Sequence, residues 1–394
     1  MTLNPEDILL LQCVKPHISQ LDFEQIVVQT KLVSNWAGFV NNATKNGLAP
    51  LAYKTIIQLN DKSNIPETVI ETLQKYYYKT LSKNTLFYDS FKTIITKWNE
   101  NNISAVALKG IYLADNVYGD IGLRQLSDMD LLVSKDDAEN AAEILLEMGF
   151  EYLDLYKSDF IKQNKSYKHL VPLVRNGISV EIHKFISLPE LSYHISISEF
   201  WNNTQKAIIA DTSLLKLQPH YLLLHICLHL DEHVIDDQIH FIAYIDILWV
   251  LDAFKQEVDW SIFSKMCKEY NCSSNVYKHL FLCHKYLQAT IPDWVIAEAK
   301  PFCDDYAECF FVNKLQCNEV FTAKKRNRNI TDLQQISGFW NKLRFLFNDM
   351  FPSKSYMYYR YKFKNPKAIY WYYIVRQFDG LKSAIKYIFR IKYI

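Results

Sequence analysis

The sequence predicts an α+β fold in which a small mixed sheet is flanked by helical regions on its N-terminal and C-terminal sides. Three observations point to it. Apolar residues recur at helical spacing from Pro5 to Trp98 and again from Pro219 to Tyr286, the stretch between carries short buried runs separated by turn residues, and one of those turns is Asn-Gly. With 394 residues, 49% hydrophobic and 22% charged, the chain can bury a sizeable core, and its 9 Gly and 11 Pro exclude collagen-like or low-complexity character.

Trp36, Phe39, Val40 and Ala43, then Leu48, Leu51, Ala52 and Ile56, mark a helical lead-in. Its last helix, around Leu73 to Trp98, runs into the polar cluster Asn99 to Asn102, which makes a helix stop. Ser104 to Leu108 has the apolar run of a core strand, closed by Lys109 and Gly110 ahead of a helical stretch from Ile111 to Tyr118. After a loop from Gly119 to Ser127, Asp128 to Val133 is a second strand. Asp136 and Asp137 are placed to accept hydrogen bonds from the free amides of a helix over Ala138 to Met148, and Gly149 ends it. Tyr167 to His183 forms a hairpin around Arg175, Asn176 and Gly177, because Asn and Gly tolerate positive φ. Along its second arm Ile178, Val180 and Ile182 face one way, and Glu181 and His183 the other. From Pro219 the pattern is helical again. The expected divisions are 1–100, a helical region; 101–205, an α/β core; 206–325, a helical domain; and 326–394, a basic aromatic region.

The charges are unevenly spread. Residues 324–394 hold 16 Lys plus Arg and 3 Asp, whereas the preceding residues hold 28 basic and 40 acidic residues. Such a tail can pack on the acidic body, contact RNA or sit on an anionic surface, with Lys324, Lys325, Arg326 and Arg328 as phosphate contacts. The eight cysteines include no Cys-x-x-Cys pair, and Met1 begins a chain without the basic, apolar, small-residue order of an export signal, so the expected compartment is the cytoplasm. No apolar run reaches the roughly 20 residues of a spanning helix. No Gly-x-Ser-x-Gly, Walker A or Gly-x-Gly-x-x-Gly pattern supports serine hydrolase, P-loop or dinucleotide chemistry.

The strongest chemical constellation is Asp128-Met129-Asp130. Carboxylates two apart on a strand project from one face with Cα atoms about 6.6 Å apart, and can converge on shared hard cations. Glu181, on a later strand, is the candidate third acid. Two Mg²⁺ ions about 3.5–4 Å apart in such a cage can activate a hydroxyl and stabilise a leaving pyrophosphate.

The order strand, Lys109-Gly110, helix, Arg124, Asp128-x-Asp130, helix and Glu181 resembles the DNA polymerase beta-like nucleotidyltransferase superfamily. More narrowly, residues 107–133 resemble its uncharacterised nucleotidyltransferase family, and the likeness continues through 180–183, 222–229, 245–251 and 351–361. The resemblance implies a nucleotidyltransferase core that moves a nucleoside monophosphate from an NTP to an acceptor hydroxyl of unknown identity (small molecule, protein or RNA). It gives Asp128, Asp130 and Glu181 to two Mg²⁺ ions and the catalytic steps, and Gly110 to the close approach of phosphate. From charge and placement, Lys109 and Arg124 are expected to neutralise the triphosphate. One departure stands out: the superfamily's second glycine or serine is Ile111 here, and Ser127 is the hydroxyl that can compensate. The run Arg124-x-x-Ser127-Asp128-x-Asp130 also resembles nucleotidyltransferase toxins of type IV toxin-antitoxin systems, which act on tRNA. A non-catalytic binding module of the same fold, serving a biosynthetic system, is the alternative from a different class.

Two further sets of residues have metal-ligand chemistry. His225, His229 and His233 recur every four residues along one helix face, and Cys267, Cys272, His279 and Cys283 are a possible zinc set. In both cases a His or Cys packed in a helix interface is the commoner arrangement.

Overall fold

The computed structural model describes residues 3–153, 168–187, 193, 195–236, 241–317 and parts of 338–378. Lys324, Lys325, Arg326 and Arg328, with most of the basic tail, lie outside the described residues. The lead-in is five helices: α1 (Pro5–Cys13), α2 (Gln20–Thr30), α3 (Trp36–Lys45), α4 (Ala49–Ile56) and α5 (Glu67–Glu100). At 34 residues, α5 is roughly 50 Å long and forms the spine of the molecule. Its buried positions Thr80, Asn84, Phe87, Tyr88, Phe91, Ile94, Ile95 and Trp98 follow the helical period and lean on the sheet and on α4. The expected asparagine stop is where it ends. Asn102 takes φ +58°, and the Ile103 amide bonds the Trp98 carbonyl at 2.9 Å, closing the last turn.

A seven-stranded mixed sheet follows, with helices threaded through it: β1 (Ala105–Ala107), α6 (Lys109–Asn116), β2 (Met129–Val133), α7 (Ala138–Glu147), β3 (Glu151–Tyr152), β4 (Leu173–Arg175), β5 (Ile178–His183), α8 (Ile197–Asn202), β6 (Thr204–Ile209) and β7 (Thr212–Leu217). The strand order is β3-β4-β5-β2-β1-β7-β6, with β2 parallel to β5 and antiparallel to β1. The hairpin turn uses Asn176 at φ +50° and Gly177 at φ +77°, the two positive angles that suit the twist of the flanking strands. Its first arm is shorter than expected. Pro172 has no amide to give to the ladder, and upstream of it only a single bridge, His169 to His183, continues the pairing.

Two local features depart from the sequence reading. Asp137 does not cap α7 with its carboxylate; its backbone is already helical at φ −90°, ψ −12°, and the carboxylate instead accepts from the Ser134 hydroxyl at 2.7 Å. The β6–β7 hairpin also has no turn signature in sequence. Its two-residue loop is Ala210 and Asp211, both at positive φ (+49° and +59°), where Asn-Gly would ordinarily announce the turn. Through β7 this hairpin extends the sheet beyond β1.

The chain then returns to helices: α9 (Pro219–Asp236), α10 (Ile242–Ala253), α11 (Trp260–Glu269), α12 (Ser273–Leu287), α13 (Asp293–Ala299) and α14 (Asp305–Leu315), with a single 3₁₀ turn at Lys300–Phe302. Helix α9 packs on α10, α11 and α12. One continuous apolar core runs from Leu9 through the sheet to Leu315, so the helical flanks and the sheet share an interior. Among the described residues no helix is long and apolar enough to cross a membrane, and all eight cysteines are free thiols.

Candidate active site

The parallel pairing of β2 and β5 builds the site. Asp130 is the register partner of Glu181, and Leu132 that of His183. Register partners in a parallel pair share a face, so Glu181 and His183 lie on the side of Asp130 while Met129, Leu131, Val180 and Ile182 fill the core behind. One ligand atom each from Asp130, Glu181 and His183 fall within 4.8 Å of one another, making this the metal-capable group among the described residues. Asp128 precedes the strand, half-buried, and accepts from the Ser127 hydroxyl at 3.0 Å.

The electrostatics separate the two aspartates. Burial, and then the neighbouring charges of Asp130 and Glu181, raise the Asp128 carboxyl to about 6. Burial works against ionised Asp130 too, but it is outweighed by the Lys109 ammonium 2.8 Å from Oδ1 and by the His183 Nε2–H bond to the same oxygen at 2.8 Å, which hold the carboxyl well below its ordinary value. Glu181 is opposed by burial and drawn down by His183, whose Nε2 lies 3.4 Å from Oε2.

Lys109 reaches Asp130 from the first position of α6. Its backbone is left-handed at φ +45°, a conformation a residue with a Cβ rarely adopts, and its side chain is only 10% exposed. On the other side of its ammonium stands His229 of α9, with Nε2 at 3.1 Å. Burial and the adjacent ammonium push the His229 imidazole well below its usual range, so it faces Lys109 as a neutral ring.

Arg124 makes its ion pair with a different carboxylate. Its Nε and Nη2 make a fork on Asp246 of α10 at 3.0 and 2.8 Å, and Tyr118, stacked on Trp249 at 4.3 Å, donates to the same Asp246 at 2.9 Å. Asn84 of α5 binds the same loop by its backbone, donating to the carbonyls of Ile121 and Arg124 and accepting from the Leu126 amide. The segment that delivers Ser127 and Asp128 is thus pinned from both helical flanks. Gly110 lies beneath it: a Cβ there would meet Arg124 Nη1 at 2.5 Å and Leu126 Cδ2 at 2.9 Å.

The sequence singled out the three acids, Lys109, Gly110, Arg124 and Ser127, but gave no role to His183, Asp246 or Asn84. Signals existed for each. His183 shares the Glu181 face by strand parity, Asp246 is a carboxylate inside an otherwise apolar run, and Asn84 sits on the buried face of α5 between Thr80 and Tyr88. The histidine row is not a metal-capable group among the described residues: His229 and His233 have ring centroids 4.3 Å apart, but His225 is 6.2 Å from His229, and His229 has Lys109 as its polar partner. The cysteine set is not gathered either. His279 pairs with buried Asp231 at 3.1 Å, and the Cys283 thiol donates to the Tyr244 carbonyl.

The sequence model of a family described as an uncharacterised nucleotidyltransferase matches residues 33–288, and the chain belongs to that family. Among solved structures it is similar to an antigenic nucleotidyltransferase-like protein from Paracoccidioides brasiliensis, at 14% identity and a TM-score of 0.32, over 53% of this chain and 96% of that one. No curated protein matches.

Proposed function

We propose that this protein transfers a nucleoside monophosphate from an NTP to an acceptor hydroxyl, releasing pyrophosphate, with divalent metal ions (two Mg²⁺ in the simplest form) held by Asp128, Asp130 and Glu181. The observation that carries the reading is the convergence of Asp130 and Glu181 on one face of adjacent parallel strands, beside Asp128, in a member of a nucleotidyltransferase family. The residues fit such ions. Three carboxylates and the Lys109 ammonium leave a formal charge of −2, crowded enough to raise Asp128, and carboxylate oxygen is the donor hard cations prefer. Bound there, the metals would supply charge to the attacking and leaving oxygens.

The chain's own part is positioning and charge placement. Asp128 and Asp130 would hold both ions, and Glu181 one of them while assisting the acceptor hydroxyl. Lys109 and Ser127 would form the triphosphate side, with Lys109 supplying positive charge from its place on Asp130, and Gly110 would act through the loop, since the missing side chain at the head of α6 is what lets Arg124 and Leu126 pack there. Arg124, its fork satisfied by Asp246, contributes by holding the segment that carries Ser127 and Asp128.

Incubation with each α-labelled NTP, Mg²⁺ and fractionated cell extract is expected to leave label on one fraction with the wild-type chain, and none with Asp128→Asn or Asp130→Asn. Transfer at the wild-type rate by either variant would reject the assignment. Wild-type protein that binds no NTP with Mg²⁺ present would favour the non-catalytic module.

A further inference from the structure

We infer that His183 is a direct metal ligand, and that the ion it shares with Asp130 and Glu181 is a first-row transition-metal dication in preference to Mg²⁺, with Mn²⁺, the weakest-binding of that series, as the probe. The inference rests on the reading of the carboxylates as a metal site and extends it to the identity of the ion. Its basis is the spacing of the donor atoms. His183 Nε2 lies 2.8 Å from Asp130 Oδ1 and 3.4 Å from Glu181 Oε2. Adjacent ligands of an octahedral ion with bonds of about 2.1–2.2 Å stand about 3 Å apart, so the nitrogen stands from each carboxylate oxygen at close to the separation of neighbouring vertices around one cation, and all three donor atoms lie within 4.8 Å of one another.

The strand geometry makes this more than a chance approach. Glu181 and His183 are alternate residues of β5, which puts them on one face, and the parallel register sets Asp130 directly beside Glu181. His183 is 2% exposed, so its ring is held by packing before any ion arrives. A second buried imidazole stands in the same neighbourhood. Among the described residues neither ring nitrogen of His225 is hydrogen-bonded, and the charges that act on it include Lys109, His183 and Asp130.

The choice of ion follows from the nitrogen. Mg²⁺ is hard, dehydrates reluctantly and takes carboxylate, phosphate and water oxygen, whereas imidazole suits the first-row transition ions, whose affinities rise along the series from Mn²⁺. The other ring nitrogen, Nδ1, is buried and has no hydrogen-bond partner among the described residues. The Lys109 ammonium, now on Asp130, keeps a second partner in His229 at 3.1 Å, so its charge can be retained as the ion joins Asp130.

The test is pulsed electron paramagnetic resonance on the full chain loaded with Mn²⁺ after chelator treatment, with Mn²⁺ and Mg²⁺ affinities measured by calorimetry. We expect a ¹⁴N modulation from one directly bound imidazole, and Mn²⁺ binding at least about 10-fold tighter than Mg²⁺. His183→Gln should remove the modulation and weaken Mn²⁺ binding about 10- to 100-fold while changing Mg²⁺ affinity less than about 3-fold. The wild-type spectrum does not depend on whether the variant folds. Bound Mn²⁺ without ¹⁴N modulation, or equal affinity for the two ions, would overturn the inference and leave the carboxylate metal site standing, with His183 as a hydrogen-bond donor to Asp130. Modulation in a protein that transfers no label would uphold it and remove the transferase reading. Failure to bind either ion would overturn both.

Discussion

Asp128 and Asp130 are two residues apart and share a proposed role, yet neutralising them should move stability in opposite directions. Asp130→Asn removes the charge that pairs with the Lys109 ammonium, in a setting where Asp130 is 3% and Lys109 10% exposed. Breaking one side of a buried pair costs about 3–5 kcal/mol, because the remaining charge is left without its partner. Asparagine keeps an acceptor oxygen, and His229 Nε2 lies on the other side of the ammonium, so the low end, about 3 kcal/mol, is expected. Asp128→Asn instead relieves a like-charge contact. A shift from 3.8 to about 6 corresponds to at most about 3 kcal/mol, which partial exposure reduces to about 1–2 kcal/mol of added stability.

The pH dependence has a definite sign. Because the folded value of Asp128 lies above the unfolded one, the stability this residue contributes is fully present below about pH 4 and is lost as the pH rises through about 6. The gain from Asp128→Asn is therefore expected at pH 8 and absent near pH 4. Asp130 runs the other way: its depressed carboxyl stabilises at neutral pH, and that contribution is lost as the solution is acidified. Urea unfolding in chelator at pH 4.5 and pH 8 measures both. The reasoning fails if Asp130→Asn matches wild type at pH 8, or if Asp128→Asn is destabilising there.

Two other outcomes follow from the pinned loop. Gly110→Ala puts a methyl group 2.5 Å from Arg124 Nη1 and 2.9 Å from Leu126, so thermal melting should show a loss of about 1–3 kcal/mol; an unchanged midpoint would mean that the loop yields freely. Arg124→Lys and Asp246→Asn should each destabilise by about 3 kcal/mol, since lysine cannot reproduce the fork and either change strands a buried partner. Their double mutant should fall well short of the sum, and strict additivity would show that the two residues do not act together.

The sequence by itself determined the local pieces. Helical spacing gave the flanks, Asn176-Gly177 gave the hairpin because few other pairs adopt two positive φ angles without strain, and strand parity put Glu181 and His183 on one face. It could also mark Asp128, Asp130 and Glu181 as acids worth bringing together. Whether they meet depends on register between strands about fifty residues apart, which only the pairing of β2 with β5 sets. The partners of the basic residues were beyond reach for the same reason. Lys109 and Arg124 carry charges that can serve a phosphate or a carboxylate equally well in one dimension. Tertiary packing, which buries them beside Asp130 and Asp246 and away from water, gives each its carboxylate partner.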